Sequence, residues 1–543
     1  MSKMGDQKQK ADVIEEKPLN KEKPPIKDVP QYNKKSFGEK LHYMRNNITV
    51  EPLLAGLIIP SVISRFAMSN LNLDKACRVN LQIEADICDS LIKKSNNNFS
   101  EYEKQVQELI SSIDIWKGVI QTALPCIIIM FLGAWSDRTG KRKLCILLPI
   151  YGEILTSINN LINVYFFYEI PVEITVFLET FFPAVTGGWV TMFLGVFSYI
   201  SDITSEESRT FRVGVVNFCF TAGLPVGIGL GGILVLKMGY YGIFSLTFGM
   251  FLLVLLYGSL GLKEPDDWRQ AKGLPAIQRD QTTKVSFFNV SHVTETVLVA
   301  YRKRPNNKRM KVILTLFCVF ILYGPTSSEH TVFYLFLRNR LNWDMVKFSV
   351  YFSYSIILHL FGAMFAITIL SKKMQIDDSL LCLISVTSKF VGSMWTAFIK
   401  TDIEMYLVPL VELLNACTFT SLRSIVSKVV ESQETAKVNS MFSLTETLAA
   451  LVFHPFYSWL YMKTLHTLSG AVFLTSAALT IPASVILIIF FIQHRKEVKS
   501  IRKKALEAEE KKDAKETEMK NTEPPILCTS TTSEVIKHEV TRC

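Results

Sequence analysis

The sequence predicts an all-α membrane protein that crosses the bilayer twelve times, as two pseudo-symmetric six-helix halves. Three observations carry this. Of 543 residues, 49% are hydrophobic and 36 are Phe, with a mean hydropathy of +0.25, which is too apolar for a soluble two-domain enzyme. The apolar residues gather in twelve stretches, each near the ~20 residues that span a bilayer. Lys and Arg concentrate in alternate connections, which places those connections on the cytoplasmic side.

Residues 1–50 are rich in Lys, Glu and Pro and read as a disordered cytoplasmic tail. The N-terminal half covers 51–262, with spans expected near 53–73, 115–135, 144–167, 172–200, 211–236 and 239–262. A polar loop over 74–112 separates the first two and lies outside. It carries Cys77, Cys88 and the sequon Asn98-Phe99-Ser100. An oxidising compartment favours a Cys77–Cys88 bridge over two free thiols, and an exposed loop favours a glycan on Asn98. The fifth span is dense in glycine from Gly214 to Gly232, which suits close, sliding helix contact.

Residues 263–311 form a basic cytoplasmic linker ending Tyr301-Arg-Lys-Arg-Pro-Asn-Asn-Lys-Arg-Met-Lys311. The C-terminal half covers 312–494, with spans near 312–337, 345–370, 379–400, 404–430, 437–461 and 468–493. Arg338 and Arg340 are the one basic pair that falls on the outer side. Residues 495–543 read as a second disordered cytoplasmic tail. The formal net charge of +10 reflects these tails and inner loops, so nucleic acid is not an expected partner. The ten cysteines include no C-x-x-C pair, and neither a metal nor a cofactor is expected.

Between the second and third spans runs Gly133-Ala-Trp-Ser-Asp137-Arg138-Thr-Gly140-Lys141-Arg142-Lys143. Two long apolar segments joined this briefly require a tight turn, and its basic cluster puts the turn inside. Gly133 permits close helix approach, Gly140 can take a positive φ, and Asp137 stands at a helix end. The run resembles the loop between helices two and three of the major facilitator superfamily, matching at Gly133, Asp137, Arg138, Gly140, Lys141 and Arg142. The resemblance implies a transporter that binds solute near the bilayer midplane and rocks between inward and outward states. Asp137 is then expected to hold the inward-closed arrangement through Lys141 or Arg209, and Asp137→Asn to slow transport at unchanged surface expression. The corresponding turn of the second half, Leu370-Ser-Lys-Lys-Met-Gln375, has neither glycine nor aspartate.

A narrower resemblance lies in Val50-Glu51-Pro52, Ser208-Arg209-Thr-Phe-Arg212, Asn342-Trp343-Asp344 and Leu422-Arg423. These patches are similar to the proton-coupled folate transporter family, solute carrier family 46. They imply a symporter. Three positions depart from that family's pattern: Asn217 replaces an acidic residue, the histidine near Pro325 is displaced to His330, and an arginine near Thr180 is missing.

Ionisable groups at membrane depth are costly and face water-filled paths or partners. By the superfamily resemblance, spans one, four, seven and ten line the cavity. That selects Arg65, Glu179, Glu329, Glu412, Phe419 and Arg423 for substrate binding, and Glu329 with His330 for proton coupling. Glu412, Phe419 and Arg423 share one face of an uninterrupted helix. Arg423 is expected to meet a substrate anion or, if structural, a carboxylate from another helix. Lys389, Glu153, His359 and His454 have blander readings as snorkelling or helix-packing residues. Gly324-Pro325 marks either a functional break in the seventh span or a packing kink.

The expected function is alternating-access transport of a small anionic organic solute, coupled to protons. A ligand sensor without turnover is the alternative, and no nucleophile–base or metal constellation supports an enzyme. The plasma membrane is favoured over the endolysosome.

Overall fold

The computed structural model describes residues 49–93, 100–204, 206–271, 273, 308–374, 376–429 and 435–522. A few side chains within its helices, including those of Asp137, Arg138 and Arg209, lie outside that description, as does Asn98. The described residues form helices and no strands.

The N-terminal half begins with α1 (Glu51–Lys75), followed by the short α2 (Ala85–Lys93). Three crossings follow, as α3 (Ser100–Thr139), α4 (Arg142–Tyr165) and the pair α5 (Val172–Val185) and α6 (Gly188–Ile203). The next element, α7 (Glu206–Gly261), holds the fifth and sixth crossings. They reverse direction at Gly239, where φ is +65° and ψ is −178°, a conformation open to glycine. The short α8 is Pro265–Ala271.

The C-terminal half contains α9 (Lys308–Arg340), α10 (Met345–Phe365), α11 (Asp378–Ala397), α12 (Asp402–Val411), α13 (Thr418–Val429), α14 (Thr435–Thr464) and α15 (Ala471–Thr522). Ten described helical segments are long and apolar enough to cross a membrane. With α7 counted as two crossings and α14 added, they make the twelve expected. Because α14 carries Glu446 and His454, it is less apolar than its neighbours.

Boundaries differ where polar sequence still favours helix. The second crossing starts at Ser100 rather than near 115. Its first turns bury Glu103, Val106, Gln107 and Ile110 at helical spacing, so the outer loop is partly a helical cap. The disulfide Cys77–Cys88, with Cα atoms 6.0 Å apart, ties α2 back to the end of the first crossing. The seventh helix begins at Lys308, inside the expected linker. At the C-terminus, residues expected as a tail continue α15 to Thr522, a stretch rich in Lys and Glu with several Ala.

The glycines of the fifth crossing are contact surfaces. A Cβ on Gly227 would lie 2.9 Å from Val62 Cβ of α1, and one on Gly232 would lie 2.9 Å from Ser349 Cβ of α10. Gly232 thus joins the two halves, as does Ser353, whose hydroxyl donates to the Pro225 carbonyl at 3.0 Å. Gly324-Pro325 does not break α9; Gly324 makes room for the Phe453 ring. The breaks occur elsewhere: at Thr186-Gly187 between α5 and α6, and at a 3₁₀ turn, Leu413–Cys417, between α12 and α13.

Candidate functional site

Between the halves lies a cavity of about 790 Å³. Its walls are largely aromatic and aliphatic, with Phe66, Trp189, Phe348 and Phe352 among them. Into them project two cations and three carboxylates. Arg65 of α1 lies 3.7 Å from Glu153 of α4, and its guanidinium sits 4.7 Å over the Trp189 ring. Lys117 of α3 lies 3.8 Å from Glu179 of α5, which also accepts from Asn72 Nδ2 at 3.2 Å. Asp114 lines the cavity one turn before Lys117. The Arg65 side chain is 42% exposed while that of Glu153 is 6% exposed, so the cation faces the space and its partner backs it. His330 and His454, from the C-terminal half, also line the cavity.

A second cavity, of about 90 Å³, lies within the C-terminal half. Lys389 of α11 donates to Glu329 of α9 at 2.7 Å and to Glu412 at 3.3 Å. Glu412 stands at the break between α12 and α13. His330 lines both cavities.

The outer end is closed by contacts between halves. Arg338 of α9 and Glu103 of α3 are both buried and meet at 2.6 Å. Arg338 Nη2 also donates to the Leu91 carbonyl of α2 at 2.6 Å. Tyr461 of α14 donates to Gln107 of α3 at 2.8 Å. Described ion pairs at the inner end instead stay within one half. Arg142 bonds Asp202 at 2.9 Å, Arg212 bonds Glu51 at 2.7 Å, Arg423 bonds Glu446 at 2.8 Å and Lys428 bonds Asp378 at 2.5 Å.

A family model described as the Major Facilitator Superfamily matches residues 111–454. The chain belongs to the major facilitator superfamily. It is similar to the bovine (Bos taurus) lysosomal proton-coupled steroid conjugate and bile acid symporter SLC46A3, at 25% identity over 417 residues, 76% of this chain and 87% of that one. It is similar also to the rat (Rattus norvegicus) proton-coupled folate transporter, at 24% identity over 386 residues, 70% of this chain and 80% of that one. Among solved structures, the human organic anion transporter MFSD10 (TETRAN) shares the fold with a TM-score of 0.53, at 14% identity, covering 81% of this chain and 98% of that one. The protein is therefore a membrane transporter of the superfamily and not an enzyme.

The superfamily turn is built largely as its residues require. Gly140 takes φ +70°, and a Cβ on Gly133 would crowd Leu194 of α6 at 3.3 Å. The Lys141 carbonyl accepts from Ser136 Oγ at 3.2 Å, and Arg142 donates to Asp202 and to Ser136 Oγ. Glu264 accepts from the backbone amides of Arg142 and Lys143, at 3.0 and 3.2 Å. The proposed partnership of Asp137 with Lys141 or Arg209 falls outside the described side chains. Asp202, Glu264 and Glu51 are anions whose pairing here sequence reasoning missed; each stands at or beside a helix end on the basic side of the chain.

Of the residues expected to bind substrate or couple protons, Arg65, Glu179 and His330 line the central cavity. Glu329 and Glu412 belong to the smaller one. Two expectations need correction. The 3₁₀ turn breaks the tenth crossing, so Glu412, Phe419 and Arg423 do not share one uninterrupted helical face. Phe419 packs edge-on against Tyr323, with ring centroids 5.4 Å apart. Arg423 lines neither cavity described; it pairs with Glu446, and its guanidinium lies 4.7 Å over the Phe442 ring. A carboxylate from another helix answers its charge, and the side chain is 47% exposed. Lys389, Glu153 and His359, given blander roles from sequence, sit among the cavity groups instead.

Proposed function

We propose that this protein carries a small organic anion by alternating access, coupled to protons, and that the anion seats on Arg65. The supporting observation is the asymmetry of the Arg65–Glu153 pair. The guanidinium is presented to the cavity on an aromatic face, held by a long ion pair to a buried carboxylate. A substrate carboxylate, sulfate or phosphate takes the two-pronged guanidinium better than Glu153 does at 3.7 Å. Glu153 then becomes a buried carboxylate without its cation and takes a proton. One proton therefore enters with each anion. The aromatic walls accommodate an apolar body, so amphipathic anions fit best.

Uptake of a mixed organic-anion set into vesicles, at two external pH values, tests this. Arg65→Lys keeps the charge but loses the fork and the stacking geometry. It is expected to lower uptake about tenfold at unchanged abundance, or ~1.4 kcal/mol. Glu153→Gln is expected to flatten the pH dependence. Parental uptake in Arg65→Lys would remove Arg65 from the site.

A further inference from the structure

The smaller cavity of the C-terminal half contains two acceptors that face each other. His359 of α10 has Nδ1 at 2.7 Å from the Ser355 carbonyl oxygen. A carbonyl only accepts, so Nδ1 carries a hydrogen, and in the neutral ring Nε2 is a bare lone pair. Nε2 lies 4.0 Å from Glu412 Oε2. Neither group has a proton to offer the other.

The charge balance points the same way. Lys389 is a single ammonium between two carboxylates, Glu329 and Glu412. With His359 neutral, the cluster carries one uncompensated negative charge at membrane depth, which is costly. The second Glu329 oxygen, Oε1, is buried without a hydrogen-bond partner among the described residues. The other titratable groups packed around the cluster do not cancel the charge. From α9 comes His330, edge-on to Phe352 with centroids 5.6 Å apart. From α10 comes Tyr351, and from α14 come His454 and Tyr457, the latter sharing a hydrogen bond of 2.7 Å with Ser476. The twelfth crossing contributes only Phe473 to the lining.

We propose that Glu412 and His359 hold one proton between them, forming a proton-binding site in the C-terminal half that is separate from the substrate cavity. This rests on the reading of the protein as a proton-coupled carrier, but it uses none of the residues that seat the anion. Loading proceeds by a simple transfer. A proton from water adds either to Glu412 Oε2, giving a neutral carboxyl beside His359, or to Nε2, giving an imidazolium 4.0 Å from the carboxylate. In both forms the cluster becomes neutral, and the hold of Glu412 on Lys389 weakens in favour of Glu329.

The site is placed where that change has leverage. Glu412 is the last residue before the 3₁₀ turn that interrupts the tenth crossing. Three residues beyond His359, Gly362 packs so closely on that turn that a Cβ would lie 2.8 Å from the Leu413 carbonyl carbon. Glu412 itself crosses directly over Gly392, one turn beyond Lys389. Protonation therefore acts on the contact of α10 and α11 with a helix break, the element of the C-terminal half best suited to bend.

Infrared difference spectra of the purified full-length protein in lipid nanodiscs, taken between about pH 5 and about pH 8, test the site without a substrate. Such spectra report carboxyl and imidazole bands alike. Glu412→Gln is expected to remove one titrating component. His359→Gln is expected to shift its midpoint by about one pH unit, a tenfold change in proton affinity. Glu153→Gln is expected to leave that component in place. The proposal is overturned if Glu412→Gln and His359→Gln both titrate as the parent does. Loss of the component in Glu153→Gln alone would overturn it too, by assigning the proton to the substrate cavity. Uptake that depends on Arg65 while this component is absent would sink the C-terminal site and leave the carrier reading standing.

Discussion

Glu103→Gln is expected to unlatch the outer end of the transporter. The mutation removes the carboxylate that answers Arg338 and leaves a guanidinium that is 2% exposed in the closed arrangement. Removing one partner of a buried ion pair costs about 3–5 kcal/mol. Moving a two-state equilibrium from 1:99 to 99:1 takes about 5.5 kcal/mol, so this loss is large enough to redistribute the states. Only the outer-closed state buries the pair between halves, so that state bears the cost. A cysteine introduced at Ser69, on the wall of the central cavity, should then react faster with a membrane-impermeant thiol reagent added outside. The double variant Glu103→Gln with Arg338→Met replaces the pair by neutral groups and should return labelling toward the parental rate. Parental labelling in Glu103→Gln would show that the latch lies elsewhere.

The second large effect is expected at Lys389. Lys389→Met leaves Glu329 and Glu412 without their shared ammonium, both buried in the C-terminal half. The penalty is again about 3–5 kcal/mol, for an uncompensated buried charge. Steady-state abundance and the unfolding temperature should both fall sharply. The sign of the pH effect follows from the chemistry: acid protonates the stranded carboxylates, so the defect should be smaller at low pH than at high pH. The triple variant Lys389→Met, Glu329→Gln, Glu412→Gln removes the charges together and should recover abundance, because the three act as one unit. If the triple variant is no more stable than Lys389→Met, the cluster is not held by charge balance.

The twelve crossings were legible because span length is a local property of sequence. The turn at Gly133–Arg142 was legible for the same reason. What could not be read was which charged side chains meet. Arg423 and Glu446 are 23 residues apart on different helices, and nothing in their spacing pairs them. Arg338 looked discordant because a basic residue outside violates the charge rule; its partner Glu103 lay in a segment that reads as polar loop. Lys389 has the long stem of a snorkelling residue, yet it is 8% exposed and held from two sides. The break after Val411 escaped notice because no glycine marks it, whereas Gly324-Pro325 carries both helix-breaking residues and stays helical. In that case the ring of Phe453, which comes from a distant helix, explains the glycine.

The twelfth crossing does not stop at the membrane. With 52 residues, α15 is about 78 Å long, and the hydrocarbon core accounts for roughly 30 Å of that. The apolar span ends at Lys496, so about 39 Å of continuous helix stands beyond it, rooted in the C-terminal half. A rod fixed to one of two rocking bodies is a pointer. A small tilt of that half becomes a much larger sweep of its tip, so a fluorophore near Thr522, paired with one on the inner end of the N-terminal half, would read out each turnover as a change in distance.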